Sequence, residues 1–256
     1  MHKARWMTKI SVASLKSIVA ILILASGFAA TPQEASVPDR ISYEGTLGGS
    51  RIGLTLIVKA GNTITAGHYF YAKYLTDIPL AGTMQPGTVT LKGKDGGTFD
   101  LKFKGNGSEG GKPMDFNNSV GLEGTWSNDG KSRPVTLGLR DIASVDGPWY
   151  KVISNQTDAA FEAKAQGFYK AVIAGDRATA AKYVSYPLRV NLKGKTLKIH
   201  SAAELTAQWD TIFTPQYLER LKKDMPHDMA IAKGQAMIGS GDAWFDDKGA
   251  TSLNVF

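Results

Sequence analysis

The chain has 256 residues, no cysteine, and a formal net charge of +7 from 30 Lys and Arg against 23 Asp and Glu. That length gives room for one large domain or two ordinary ones, with cores that are stable without covalent staples. The lack of cysteine excludes disulfides, thiolate metal sites and a thiol nucleophile.

His2, Lys3, Arg5, Lys9 and Lys16 precede the apolar run Ile18 to Leu24, which passes into the small residues around Ala29 and Ala30. A basic segment, a short apolar segment and small residues form the pattern of a secretory signal peptide, assigned to residues 1–29. The run is shorter than the ~20 apolar residues a membrane span requires, so the expected location is outside the cytoplasm, in a bacterial periplasm. No cysteine follows the cleavage site to carry a lipid. The four cations Lys3, Arg5, Lys9 and Lys16 leave with the signal, which takes the charge from +7 to about +3. So mild a balance, with no basic run interleaved with aromatics, gives no reason to expect a nucleic-acid partner.

Residues 30–40 are polar and proline-containing and are expected to be a disordered lead-in. From Ile41 the text changes to short alternating runs separated by glycine turns. The strands are predicted at Ile41–Glu44, Ile52–Val58, Ile64–Tyr71, Ile78–Leu80, Thr88–Leu91, Thr98–Phe103, Gly121–Trp126 and Pro134–Leu139. Gly48-Gly49, Gly61-Asn62, Gly96-Gly97 and Asn128-Asp129-Gly130 supply the turns. Eight such strands over residues 41–140 predict an all-β antiparallel meander, curled or closed so that its edges are hidden. Within it, Gly124-Thr125-Trp126 resembles the G-x-W motif of calycin barrels. Since that motif belongs on a first strand, no ligand is carried over, and Trp126 is expected to plug one end of a small β-core.

Residues 141–156, broken by Gly147-Pro148, read as a linker. The periodicity then becomes helical. Phe161, Ala165, Phe168, Val172 and Ile173 predict a helix over Asp158–Ala174 that Gly175 ends in a left-handed cap. Asp176 caps a second helix extending to Val184. A small hairpin follows across Lys193-Gly194-Lys195. Ser201 and Glu204 form a capping box for a helix carrying Leu205, Trp209, Ile212 and Phe213 on one face. Thr214-Pro215 opens a short helix with Tyr217, Leu218 and Leu221. Gly234 to Phe245 reads as a β-hairpin turning at Ser240-Gly241-Asp242, and a last strand follows Asp247-Lys248-Gly249.

This order, with Phe168-Tyr169-Lys170-Ala171, Ala174-Gly175-Asp176, Tyr186-Pro187-Leu188, Ile212-Phe213-Thr214 and Gly239 to Phe245, resembles the nuclear-transport-factor-two-like superfamily over residues 157–256. The resemblance implies an α+β cone whose curved antiparallel sheet wraps a long helix, with Trp244 the large side chain beneath that helix. The fold class is therefore α+β, a barrel-like meander followed by a cone. The superfamily holds isomerases, dehydratases and binding modules alike, so fold likeness transfers no function.

Cone enzymes place carboxylates, histidine or tyrosine in an apolar pocket. By that logic the candidate pocket residues are Tyr169, Tyr183, Tyr186, Trp209, Asp210, Asp242 and Trp244. Asp242 is equally well explained as a turn residue, and Asp210 faces solvent if Trp209 faces the core. His68, His200 and His227 are isolated in sequence. No H-x-H or H-E-x-x-H spacing occurs, so no metal and no cofactor is expected. There is also no G-x-S-x-G elbow, dinucleotide fingerprint or Walker loop. Three classes remain: a non-catalytic exported module that binds a protein, a small apolar ligand or an envelope component, as inhibitors and immunity proteins do; an acid–base enzyme working in the cone; and a structural factor of envelope assembly. The poverty of exposed chemistry favours the first.

Overall fold

Eight strands alternate along residues 39–144, and their inward side chains set the first core. The computed structural model describes residues 37–105, 111 and 113–256; the expected signal peptide and all but the end of the lead-in lie outside the described residues. The strands are β1 (Asp39–Leu47), β2 (Ser50–Lys59), β3 (Thr63–Tyr71), β4 (Ile78–Gln85), β5 (Thr88–Gly93), β6 (Thr98–Lys104), β7 (Gly121–Asn128) and β8 (Lys131–Ser144). Each pairs antiparallel with the next, and β8 pairs back onto β1, so the expected meander closes into an eight-stranded barrel. Closure removes both sheet edges. The barrel is filled by one residue in two from each strand, among them Ile41, Tyr43, Leu54, Leu91, Phe99, Leu122 and Leu137. Full burial of each such side chain contributes roughly 1.5–3 kcal/mol.

The outward faces of the strands differ, and that difference places the second half of the molecule. On β5 and β6 the outward residues include Lys92, Asp100, Lys102 and Lys104, all exposed. On β1, β2 and β3 they include Arg40, Ser42, Thr55 and Phe70, all buried. The barrel wall from β1 to β3 is therefore covered on both sides. Gly53 allows this closeness: a Cβ there would lie 2.3 Å from the Phe70 ring.

The second half begins after a 3-10 turn at Trp149–Val152. It contains α1 (Asp158–Ala174), α2 (Arg177–Ala181), β9 (Val184–Leu192), β10 (Lys195–Ile199), α3 (Ala202–Ala207), α4 (Trp209–Ile212), α5 (Pro215–Leu221), β11 (Ala230–Ala232), β12 (Gln235–Ile238), β13 (Ala243–Phe245) and β14 (Ala250–Asn254). Thr157 caps α1 by accepting from the Ala160 amide, and Gly175, at φ 72°, ends it as the sequence predicts. The second helix is shorter than expected, because Val184 opens β9. The helix predicted from the Ser201 capping box is divided at Gln208. The six strands form a mixed sheet in the order β10-β9-β14-β13-β12-β11, with β14 and β9 parallel. Phe161, Phe168 and Val172 of α1 pack with Phe213, Tyr217 and Phe245 in the second core.

One orientation differs from expectation. Ala243 and Phe245 point into the core, and the Phe168 and Phe245 rings meet edge-on at 5.7 Å. Trp244 lies between them in the strand and so faces the opposite side, half-buried beside Arg189, Gln235 and Thr251. Strand alternation at the end of a four-residue turn, not side-chain size, decides which aromatic sits under the helix.

Among the described residues no helix is long and apolar enough to cross a membrane. The described residues make a single compact unit.

Candidate functional site

The residues singled out from the cone analogy do not converge on one cavity. Asp210 is exposed and paired with Arg177 at 2.9 Å. Trp209 is buried in the second core, where the Arg177 guanidinium lies 5.6 Å from its ring. Tyr169, Tyr183 and Tyr186 are half-buried at the margin of that core. Tyr183 lies across Gly167 of α1, and the Tyr186 hydroxyl donates to the Ala181 carbonyl at 3.4 Å.

Asp242 occupies the β12–β13 turn, as expected of a turn residue, but it is buried. Arg220 Nε donates to its Oδ1 at 2.5 Å, and its carbonyl accepts from the Tyr217 hydroxyl at 2.9 Å. Beside it stands Asp224. Burial and then the hydrogen bond and negative charge of Asp242 push the Asp224 carboxyl up to about 7. An acid with a native pKa above its unfolded value near 3.8 binds extra protons in the folded state between those limits. Stability must therefore fall as pH rises from about 4 to about 7. Asp224→Asn is expected to remove that slope and to raise stability at pH 8 by about 1–2 kcal/mol after allowance for solvent screening. Chemical denaturation at pH 5 and pH 8 measures both effects.

A denser polar assembly lies where the outer wall of β1–β3 meets α1 and the segment His227-Asp228. The Asp228 carboxylate is its centre. Arg40 Nη2 lies 2.6 Å from Oδ1 as a charge contact, not an aligned hydrogen bond. Thr55 donates to Oδ2 at 2.6 Å, and His68 Nε2 lies 2.7 Å from the same oxygen. The Arg40 guanidinium also sits 4.2 Å from the Trp149 ring. Asp228 adopts a left-handed backbone with φ 51°, a conformation aspartate accepts more readily than most residues and one that this set of contacts holds in place.

Glu162 of α1 is the second centre. Oε1 accepts from the Tyr150 hydroxyl and from the Asp228 amide, each at 2.8 Å, while Oε2 lies 2.6 Å from His227 Nδ1. On the opposite edge of the ring, His227 Nε2 lies 2.7 Å from Asp77 Oδ1. Phe70 packs on the same ring at 4.3 Å. Burial alone would lower the His227 pKa, but hydrogen bonds to Asp77 and Glu162 overcome it and push it up to about 10. His68 is likewise raised, its burial outweighed by the bond to Asp228 and by surrounding carboxylates. Asp228 is held well below the usual carboxylate range despite burial, by His68, Arg40 and Thr55. A cleft of about 500 Å³ opens onto this assembly.

At one end of the barrel a larger cavity, about 790 Å³, lies among the β1–β2 turn, the β3–β4 connection and the β7–β8 turn. Arg51, Lys73, Lys131 and Arg133 line it, with Asp129 the single carboxylate among the lining residues. Tyr71, Tyr74 and Trp126 supply aromatic walls, and Tyr74 is 62% exposed. Trp126 thus stands at a barrel end, as the sequence suggests, with its Nε1 buried against Gly97 and without a hydrogen-bond partner among the described residues. Among those residues none of the four cations pairs with a carboxylate; Arg51 donates to the Lys223 carbonyl.

Sequence reasoning missed both places. The polar assembly draws on positions 40, 55, 68, 77, 162, 227 and 228, which no local motif connects. One signal was present: the three central outward positions of β2, Gly53, Thr55 and Ile57, lying between Arg51 and Lys59, carry no charge, unlike the outward positions of β5 and β6. Comparison of the chain with models of known protein families, with characterised proteins and with solved structures finds no match.

Proposed function

We propose that this chain is an exported, non-catalytic binding module of the bacterial envelope, and that its barrel mouth recognises an anionic envelope component. The observation that carries the reading is the mouth itself, where four cationic side chains and three aromatic rings surround one carboxylate in a cavity of about 790 Å³. Like charges so gathered repel one another until an anion enters, and concave walls strengthen their combined field. Aromatic faces add apolar contact with a sugar or acyl surface. Closed antiparallel barrels commonly take ligands at this position.

The second half supports the module rather than chemistry in this reading. We infer a nuclear-transport-factor-two-like cone from its sheet wrapped on α1, and its interior is occupied by Phe161, Phe168, Phe213, Tyr217 and Phe245. The enzyme alternative placed Asp210 or Asp242 at the bottom of an apolar pocket, but one is in solvent and the other is tied to Arg220.

Retention of the mature protein on immobilised phosphorylated or uronic-acid-bearing glycans, compared with neutral glycans, tests the proposal. Retention is expected on the anionic supports alone, weakening steeply with salt. The double substitution K131E/R133E, on exposed side chains, is expected to reduce it at least tenfold with an unchanged unfolding temperature. Equal retention on neutral glycan, or no effect of the substitutions, would contradict the reading.

A further inference from the structure

We propose that His68, Asp77 and His227 form a site for one divalent transition-metal ion of the zinc class, at the junction of the barrel with the second half of the chain. One ligand atom from each of the three lies within 4.8 Å of the other two. His227 Nε2 and Asp77 Oδ1 are 2.7 Å apart, and His68 Nε2 lies 3.6 Å from the same oxygen. A tetrahedral ion bound at about 2.0–2.2 Å needs its ligand atoms roughly 3.3–3.6 Å apart, so the His68–Asp77 separation already fits, while the 2.7 Å His227–Asp77 hydrogen bond must open by roughly 0.7 Å as the ion enters. Asp77, half exposed at the end of the β3–β4 connection, is the ligand placed to make that movement.

The surroundings supply what a chance cluster lacks. His227 Nδ1 is held by Glu162 at 2.6 Å, and Glu162 is fixed in turn by the Tyr150 hydroxyl and the Asp228 amide. A carboxylate on the far nitrogen of a histidine fixes the ring for a metal at Nε2; in the metal-free protein Nε2 carries the proton it shares with Asp77, and the ion takes that proton's place, releasing it to solvent. Asp228, anchored by Arg40 and Thr55, stands 2.7 Å from His68 Nε2. It is placed to accept a hydrogen bond from a metal-bound water once that nitrogen turns to the ion. The adjoining cleft of about 500 Å³ leaves the fourth position open to water or to a small ligand. Two nitrogens and a carboxylate oxygen suit zinc, cobalt or nickel better than magnesium or calcium. Because two ligands belong to the barrel and one to the segment after α5, the ion would join the two halves. This site is separate from the barrel mouth and independent of what binds there.

The test is titration of the chelator-stripped full-length mature protein with Co²⁺, followed by displacement with Zn²⁺. One Co²⁺ per chain is expected, with the visible absorption of a four-coordinate N/O site, and with a rise in unfolding temperature on metal addition. Asp77→Asn, at a half-exposed position, is expected to bind at least tenfold more weakly, and His68→Ala likewise. Glu162→Gln, which keeps all three ligands, is expected to lose tenfold or more because the carboxylate that orients His227 through Nδ1 is gone. Absence of Co²⁺ and Zn²⁺ uptake, or uptake that either D77N or H68A leaves unchanged, would overturn the proposal.

Discussion

Asp228→Ala is expected to destabilise the metal-free protein by about 3–5 kcal/mol, one of the two largest effects foreseen for a single substitution in this chain. The wild-type carboxylate sits between Arg40, His68 and Thr55. Arg40, whose side chain is 4% exposed, has no route to water when the carboxylate is gone. An unpaired buried charge costs far more than the pair contributed, and that asymmetry sets the size of the effect. The alanine also removes the local hydrogen-bonding side chain that makes a left-handed backbone acceptable at φ 51°. Denaturant titration at neutral pH measures the loss. A loss under 1 kcal/mol would mean that Arg40 reaches solvent without it.

Glu162→Ala is expected to cost about as much, roughly 3–5 kcal/mol, for a related reason. One carboxylate satisfies the buried Tyr150 hydroxyl, the Asp228 amide and the His227 ring. The substitution strips all three of that acceptor, leaving the Asp228 amide without its partner, the Tyr150 hydroxyl with only the Met229 amide that donates to it, and the His227 ring with Asp77 and Gln166. Since the Asp228 amide is one of those groups, the two substitutions share partners, and the double variant is expected to lose at least 1 kcal/mol less than the two separate losses added. Full additivity would show that the two carboxylates act independently. The pH profile gives a second reading. His227, raised in the fold to about 10 from an unfolded value near 6.5, contributes stability that is complete below pH 6.5 and is lost as pH rises through about 10. Without Glu162 its folded pKa falls, so the alkaline loss, which still begins near pH 6.5, is smaller and is complete at a lower pH. Asp228 has the opposite sense: held low in the fold, it contributes stability above about pH 4 that disappears on acidification.

The barrel was legible because its strands are written twice, in period-two alternation and in the glycine turns between them. All eight were expected, and β8 pairing back onto β1 gave the closure. The long helix was legible to the residue, because Thr157 and Gly175 cap it through local chemistry. Trp244 was misplaced because a large aromatic invites burial, whereas strand parity gives the core to Ala243 and Phe245. The polar junction was not legible. Arg40, His68, Asp77, Glu162 and Asp228 each look like ordinary surface residues, and only the fold brings the β1–β3 wall against α1. The mouth cations were hidden for the same reason, since Arg51, Lys73, Lys131 and Arg133 come from three separate connections around one barrel end.

The account rests most on the barrel mouth as the binding surface. The indole N–H resonance of Trp126, together with the backbone amides of Lys73 and Lys131, reports on that surface directly in ¹⁵N-correlated NMR spectra. Titration with a phosphorylated or uronic-acid-bearing envelope glycan is expected to shift these resonances together and saturably, while the neutral glycan leaves them in place. Resonances at the mouth that stay fixed while residues elsewhere respond to the anionic glycan would contradict it.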